Sequence, residues 1–252
     1  MVRRNTAMDF PASLIKSLRT ARKIVALTGA GISAESGLAT FRDAQTGLWS
    51  KFKPEELATA EAFQRNPKLV SDWYSWRRKQ ALQAQPNAGH LALSEMEKHA
   101  PQFLLVTQNV DGLHARAGSR QVVELHGNIH RFRCFENDCP SENFDIPHGR
   151  CGSCGGHLRP AVVWFGEPLD PDVVVAAEGA TFCDVFLTIG TSAVVYPAAG
   201  LIQKAKRRGA FTVEINTEDT PASAMVDVAI RAPAAEALQN LALKINSSGN
   251  PH

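Results

Sequence analysis

At 252 residues the chain has room for one large domain and a small insertion. Hydrophobic residues make up 44% and charged residues 21%, which argues against disorder through the body, and a net charge of +2 is too mild to imply a nucleic-acid partner. No apolar run reaches the roughly 18 residues of a membrane span, and no secretory apolar core follows the basic N-terminus, so a cytoplasmic protein is expected.

The spacing of Leu14, Ile15 and Leu18 predicts a short helix over residues 11–21. The β-branched run Ile24–Thr28 then reads as a buried strand of a parallel sheet. Gly29-Ala30-Gly31 follows directly, a turn that lets backbone come close to a ligand. Ser33, Glu35 and Ser36 supply capping groups for a helix whose first amides and dipole would favour an anion such as a pyrophosphate. The next glycine, Gly37, lies six residues after Gly31, so the dehydrogenase spacing is not met. Thr40, Phe41 and Arg42 offer an aromatic and a guanidinium to cover a bound dinucleotide.

Residues 55–65 and 67–83 are helical in pattern, with Pro67 suited to a first turn. Trp73 and Trp76 read as core. Tyr74 and Arg77, three apart, share a face, and a guanidinium fork beside a phenol suits a carboxylate. A turn at Pro86–Gly89 leads into a helix to about His99, with His90 structural at its start. Phe103–Thr107 is the next buried strand, and Gln108, Asn109, Val110 and Asp111 stand at its carboxyl end, where ligands bind in open α/β sheets. The strand 122–125 ends in His126, placed to titrate near neutral pH and to reach a ligand; His130, His148 and His157 stay unassigned.

The strongest signal from chemistry alone comes next. Cys134 and Cys139 have four residues between them, and Cys151 and Cys154 have two. Two close pairs in a reducing compartment suit four thiolates around one structural Zn²⁺, a closed site that supports folding and does not activate water. The fifth cysteine, Cys183, is expected as a plain buried thiol in an apolar strand.

Residues 159–167 read as a strand running into a glycine loop, and residues 184–189 as another, ending in Gly190-Thr191-Ser192. A helix over 197–208, a strand over 211–215, the polar group Asn216-Thr217-Glu218, a strand over 227–230, a helix from Ala234 and a frayed tail complete the chain. The alternation predicts an α/β fold: a doubly wound, parallel, Rossmann-like sheet with a smaller lobe made of a zinc ribbon and helices. The large lobe is expected over about 11–36, 86–128 and 161–245, the small one over 37–85 (helical) and 129–160 (ribbon).

GAGISAESG, TFRD, QNVDGLH, LHGN, the four cysteines, VVWFGE, GTS and NTE together resemble the sirtuins, NAD-dependent protein deacylases, over about residues 20–240. Ala39, where many relatives carry proline, is a departure that loosens one loop. The resemblance implies NAD as co-substrate and acyl-lysine proteins or peptides as partners; a monomer is expected. It implies NAD contacts from Gly29, Ala30, Gly31, Ser33, Glu35, Thr40, Phe41, Arg42, Gln108, Asn109, Val110, Asp111, Gly190, Thr191, Ser192, Asn216, Thr217, Glu218 and Ala234. Asn109 and Asp111 would face the nicotinamide pocket and Gln108 the ribose, with Asn109 and His126 catalytic and His126 the general base. Val163, Phe165, Gly166 and Glu167 would bind the peptide as an added strand. Tyr74 and Arg77 resemble the pair that marks removal of succinyl, malonyl and glutaryl groups, acetyl being removed as well. By the family's route the acyl oxygen attacks the ribose carbon bearing nicotinamide, and His126 then assists acyl migration, giving O-acyl-ADP-ribose. The alternatives are a deacetylase without acidic-acyl preference, a nicotinamide-dependent dehydrogenase, and a zinc-ribbon nucleic-acid binder. The last is opposed by Glu136, Asp138, Glu142 and Asp145 around the cysteines.

Overall fold

The computed structural model of the chain describes residues 8–38, 52–137, 139 and 149–246. In chain order the elements are α1 (Ala12–Thr20), β1 (Lys23–Thr28), α2 (Gly31–Ala34), α3 (Pro54–Leu57), α4 (Ala60–Arg65), α5 (Pro67–Gln83), α6 (Ala88–His99), β2 (Gln102–Thr107), α7 (Leu113–Arg116), β3 (Val122–Glu124), β4 (Gly127–Cys134), β5 (Leu158–Val162), α8 (Pro171–Ala180), β6 (Val185–Ile189), α9 (Ala198–Arg207), β7 (Phe211–Asn216), β8 (Val228–Arg231) and α10 (Ala234–Asn246).

Six strands form one parallel sheet in the order β3-β2-β1-β6-β7-β8, and β4 pairs antiparallel with β5 as a separate ribbon. Because side chains alternate along a strand, β1 buries Ile24 and Ala26 on one face and Val25 and Leu27 on the other. The first face packs against α1, α6 and α10 through Leu14, Leu18, Leu93, Leu238 and Leu241. The second packs against α8 and α9 through Ala177, Ala180, Leu201 and Ile202. A sheet covered on both faces needs strands that are apolar throughout, and β6 is buried at all of its positions.

A third core joins the helical insertion to the foot of the ribbon: Leu57, Phe63, Val70, Trp73 and Tyr74 pack with Ile129, Val162 and Trp164. The small lobe therefore has its own apolar centre, from chain segments far apart in sequence.

The structure refines several expectations. The helix expected over 55–65 is two, because Thr59 adopts an extended backbone and its hydroxyl caps α4 by accepting the Ala62 amide at 3.1 Å. Of the strand and glycine loop expected over 159–167, the strand is β5 and ends at Val162, so the segment leading into the loop begins at Val163. Cys183 lies in the bend just before β6, not in a strand, and burial pushes its thiol pKa up to about 12. Helix α8 was not anticipated, although its start is signalled by Asp170, whose carboxylate accepts the Asp172 amide at 2.8 Å, and by Pro171 in the first turn.

Candidate active site and metal centre

The register fixes where the polar residues gather. Thr28 is level with Thr107 and with Ile189, Thr107 with Glu124, and Ile189 with Ile215. The residues that follow each strand end therefore emerge along one edge of the sheet: Gly29–Gly31, Gln108–Asp111, His126, Gly190–Ser192 and Asn216–Glu218. Five motifs that are scattered in sequence become one rim.

The floor of that rim is backbone against backbone. The Gly31 amide donates to the Gly190 carbonyl at 2.8 Å, and the Gly29 amide to Ile189 at 2.9 Å. A Cβ on Gly31 would sit 2.7 Å from the Gly190 Cα, and one on Gly190, whose φ is +56°, would sit 2.5 Å from the Ile32 nitrogen. The glycines are needed for this interlock as much as for ligand approach. The amides of Ile32 and Ser33 are also taken, by the carbonyls of Gly29 and Ala30. The expected donation of free helix amides to an anion is thus largely closed off, since α2 is a single turn whose amides are already bonded.

Behind the floor lies a connected polar chain. Ser33 donates from Oγ to Asp111 Oδ2 at 2.7 Å, and Asn109 donates from Nδ2 to both Ser33 Oγ and the Gly29 carbonyl at 3.1 Å. Asp111 also accepts the Leu113 amide at 2.9 Å, so its buried carboxylate is held in place. His90 sits beneath, in a reciprocal cap with Asn87 at the start of α6, as its structural reading requires. Its ring lies 4.8 Å from that of His114, whose Nε2 is 2.9 Å from Thr28 Oγ1. His130, left unassigned by sequence, donates from Nε2 to the Asp111 carbonyl at 2.9 Å.

His126 stands in the turn between β3 and β4. Its Nδ1 is 3.0 Å from the Gln108 carbonyl, which can only accept, so Nδ1 carries the proton and Nε2 keeps its lone pair. Burial lowers the imidazole pKa below its ordinary value, offset in part by that hydrogen bond, so the ring is neutral near pH 7. Gln108 in turn donates from Nε2 to Thr191 Oγ1 at 2.9 Å, and Asn216 from Nδ2 to the Thr191 carbonyl at 2.9 Å. On β7, Glu214 is buried and accepts Ser223 Oγ at 2.6 Å and pairs with Arg231 at 3.0 Å, which pins the loop after Asn216. Thr217 and Glu218 on that loop are exposed.

Two carboxylates read as ligand contacts are engaged elsewhere. Glu35 accepts the Ala235 amide at 2.8 Å and so caps α10, beside Ala234. Glu167 binds Arg159 through both oxygens, one at 2.9 Å, and accepts the Trp164 amide at 2.8 Å. Val163 and Phe165 donate their amides to the carbonyls of His126 and Ala58, both at 2.9 Å, while the Phe165 side chain is 47% exposed. Thr40, Phe41 and Arg42, with Ala39 and His148, lie outside the described residues. Arg159, Trp164 and His114 were not singled out from sequence, since their partners are distant in the chain.

On α5, Tyr74 is buried, and the Arg77 guanidinium lies 4.9 Å from the centre of the Trp73 ring and 6.0 Å from that of Tyr74. Burial lowers the Arg77 pKa, opposed by the Tyr74 and Asp111 charges, the latter reaching it from the rim.

In the ribbon, the Sγ atoms of Cys134, Cys139, Cys151 and Cys154 all lie within 4.8 Å of one another. Tetrahedral Zn²⁺ with bonds of about 2.3 Å needs sulfurs roughly 3.8 Å apart, so the donor set and its spacing fit zinc with no position left for water. The Gly156 amide points to Cys154 Sγ at 3.4 Å, a contact that orients a ligand sulfur.

Burial holds His90 at about 4 and His114 at about 3, against an ordinary 6.5. With His126 also lowered, the unfolded chain binds more protons than the folded one below pH 6.5. Stability is therefore complete above that pH and falls as pH drops, by about 1.4 kcal/mol per unit for each extra proton. Urea unfolding at pH 5 should show a clearly lower midpoint than at pH 7, with the histidines, whose ordinary pKa lies inside this window, as the main source. Equal midpoints would mean that these rings are not held neutral.

A doubly wound sheet with polar loops gathered along one edge, beside a four-thiolate metal lobe, is an α/β architecture that offers its ligand sites at the strand ends. The model of the Sir2 family matches residues 29–197. The chain is 53% identical to an NAD-dependent protein deacylase of Aquifex aeolicus, covering 86% of this chain and 93% of that one. It is 51% identical to NAD-dependent protein deacylase 2 of Pyrobaculum aerophilum, covering 89% and 91%. Among solved structures, a Sir2 homolog in complex with NAD superposes with a TM-score of 0.90 at 42% identity, covering 96% of each chain. A Sir2–p53 peptide–NAD⁺ complex superposes at 0.81 and 29% identity, covering 94% of this chain and 99% of that one. The chain belongs to the Sir2 family, the NAD-dependent protein deacylases. No helix among the described residues is long and apolar enough to cross a membrane.

Proposed function

We propose that this deacylase takes acidic acyl groups from lysine, succinyl and malonyl first and glutaryl as the longer member, while also accepting acetyl. The observation that carries the reading is the pair on α5: a buried phenol and a guanidinium one turn apart, with the Arg77 charge facing the field of Asp111. A carboxylate at the end of an acyl chain would gain a charge-assisted hydrogen bond from Arg77 and a second bond from Tyr74.

The substrate is an acylated protein or peptide segment, as in the p53 peptide complexes of homologues. Its backbone would run beside Val163, Phe165 and Gly166. The amides of Val163 and Phe165 are bonded inward and the Trp164 carbonyl accepts the Glu167 amide, so a peptide would pair with the remaining backbone groups of this segment.

NAD, the co-substrate, supplies the ribosyl carbon to which the acyl oxygen adds as nicotinamide leaves. Asn109 and Asp111 orient the nicotinamide end, and Gln108 and Thr191 the ribose. His126 Nε2 would then take the proton of a ribose hydroxyl, whose oxygen adds to the acyl carbon; with one water the acyl carbon–nitrogen bond breaks, the lysine amine is set free and the acyl group remains on the ribose as O-acyl-ADP-ribose.

The test is nicotinamide release with matched acetyl-lysine and succinyl-lysine peptides, for the native chain and for Arg77→Met. The native chain should show the higher kcat/KM on succinyl. The substitution should cost that substrate about 10- to 100-fold, the range of a lost charge-assisted bond, and the acetyl peptide far less. Equal losses would return Arg77 to a structural role, and a native preference for acetyl would refute the acidic-acyl reading.

A further inference from the structure

Trp164 belongs to the segment proposed for the peptide, its indole reaches Tyr74 on α5, and the ring is closely packed. It is 2% exposed, its ring centre is 5.3 Å from that of Phe63, and the Arg159 guanidinium sits 3.3 Å over it. Arg159 is itself fixed by Glu167 and by a 2.6 Å bond to the Val162 carbonyl, so the ring cannot drift.

The indole nitrogen has a single partner, the Tyr74 hydroxyl at 2.9 Å, ninety residues away in the chain. An indole N–H can only donate, so the phenol oxygen is the acceptor in this bond. The phenol's own proton meets no acceptor among the described residues. A buried donor without an acceptor is costly unless a ligand completes it. Burial also pushes the Tyr74 pKa up to about 12, so the proton stays on the phenol at any working pH.

We propose that Trp164 determines acyl specificity through Tyr74: its indole N–H occupies the acceptor side of the hydroxyl, so Tyr74 presents only its proton, to a carboxylate oxygen of the acyl group. This rests on the acidic-acyl reading above. A hydroxyl free to turn would accept from a neutral or donor-bearing acyl end as readily as it donates. Held by Trp164 it selects acceptors, and an accepted N–H polarises the phenol into a better donor. Trp164 is thus a positioning residue that acts through Tyr74.

The experiment is a double-mutant cycle of Trp164→Phe and Tyr74→Phe, read as kcat/KM on succinyl-lysine and acetyl-lysine peptides, with zinc content and thermal midpoint as folding controls. Trp164→Phe keeps an aromatic ring and removes the N–H. It should lower succinyl kcat/KM about 3- to 10-fold, the range of one hydrogen bond, with acetyl changed by less than about two-fold. In the Tyr74→Phe background its effect on succinyl should vanish, because the bond it deletes is already gone. Equal losses on the two peptides, or effects that simply multiply across the cycle, would overturn the proposal. If Tyr74→Phe lowers the succinyl-to-acetyl ratio and Trp164→Phe does not, only the part assigned to Trp164 fails. If Tyr74→Phe leaves that ratio unchanged, the acidic-acyl reading fails with it. Should Trp164→Phe not fold, incorporation of a benzothiophene side chain at position 164 replaces the N–H by sulfur at constant shape, and the same outcomes decide.

Discussion

His126→Ala is expected to slow nicotinamide-coupled deacylation by about 10²- to 10⁴-fold, the usual worth of a positioned general base. The geometry gives the reason. With Nδ1–H committed to the Gln108 carbonyl at 3.0 Å, the ring presents one basic atom, Nε2, in one orientation. The substitution leaves that carbonyl half-buried and the ribbon untouched, so zinc content and thermal midpoint should change little. The native pH profile should agree. The base must be neutral, burial lowers its pKa, and activity should rise with pH on an acid limb centred below 6.5. Turnover within tenfold of native in His126→Ala, measured by product formation from both peptide and NAD, would remove His126 from the chemistry.

Stripping the metal should be the more destructive change. Structural zinc contributes about 10–16 kcal/mol in small zinc modules, where binding and folding are one event. Here the four sulfurs close the far end of β4 and β5, while the near end carries Ile129 and Val162 into the core that also holds Tyr74 and Trp164. Loss of zinc should therefore unfold the ribbon, loosen the core that holds Tyr74 and Trp164 and abolish activity. Chelation, or Cys151→Ser at a buried ligand, should lower the thermal midpoint and release one zinc per chain. Full activity in protein shown by metal analysis to hold no zinc would refute a supporting role.

What was legible in the sequence is what local chemistry dictates. An apolar run followed by Gly29-Ala30-Gly31, polar residues after Thr107, and closely paired cysteines all announce themselves within a few positions. The parallel sheet then followed from alternation alone. What could not be read were choices made by distant partners. Nothing near Glu35 says that its carboxylate caps a helix two hundred residues on, and nothing near Glu167 says that Arg159 claims both its oxygens. Nothing near Trp164 says that its N–H is given to Tyr74, ninety residues away. The missed helix α8 is a different case: its cap and proline were there to read, and a small, uniformly apolar run hid the period.

The interlock of Gly31 with Gly190 joins two turns that lie about one hundred and sixty residues apart, and neither has a side chain with which to adjust. The rim to which we assign the dinucleotide is consequently a property of long-range topology, created only when β1 has docked beside β6. A nascent chain still short of residue 190 has the glycine motif and no receptacle. Affinity for NAD should then arrive late and all at once during synthesis or refolding, making co-substrate binding a reporter of completed sheet assembly, and never a scaffold that guides it.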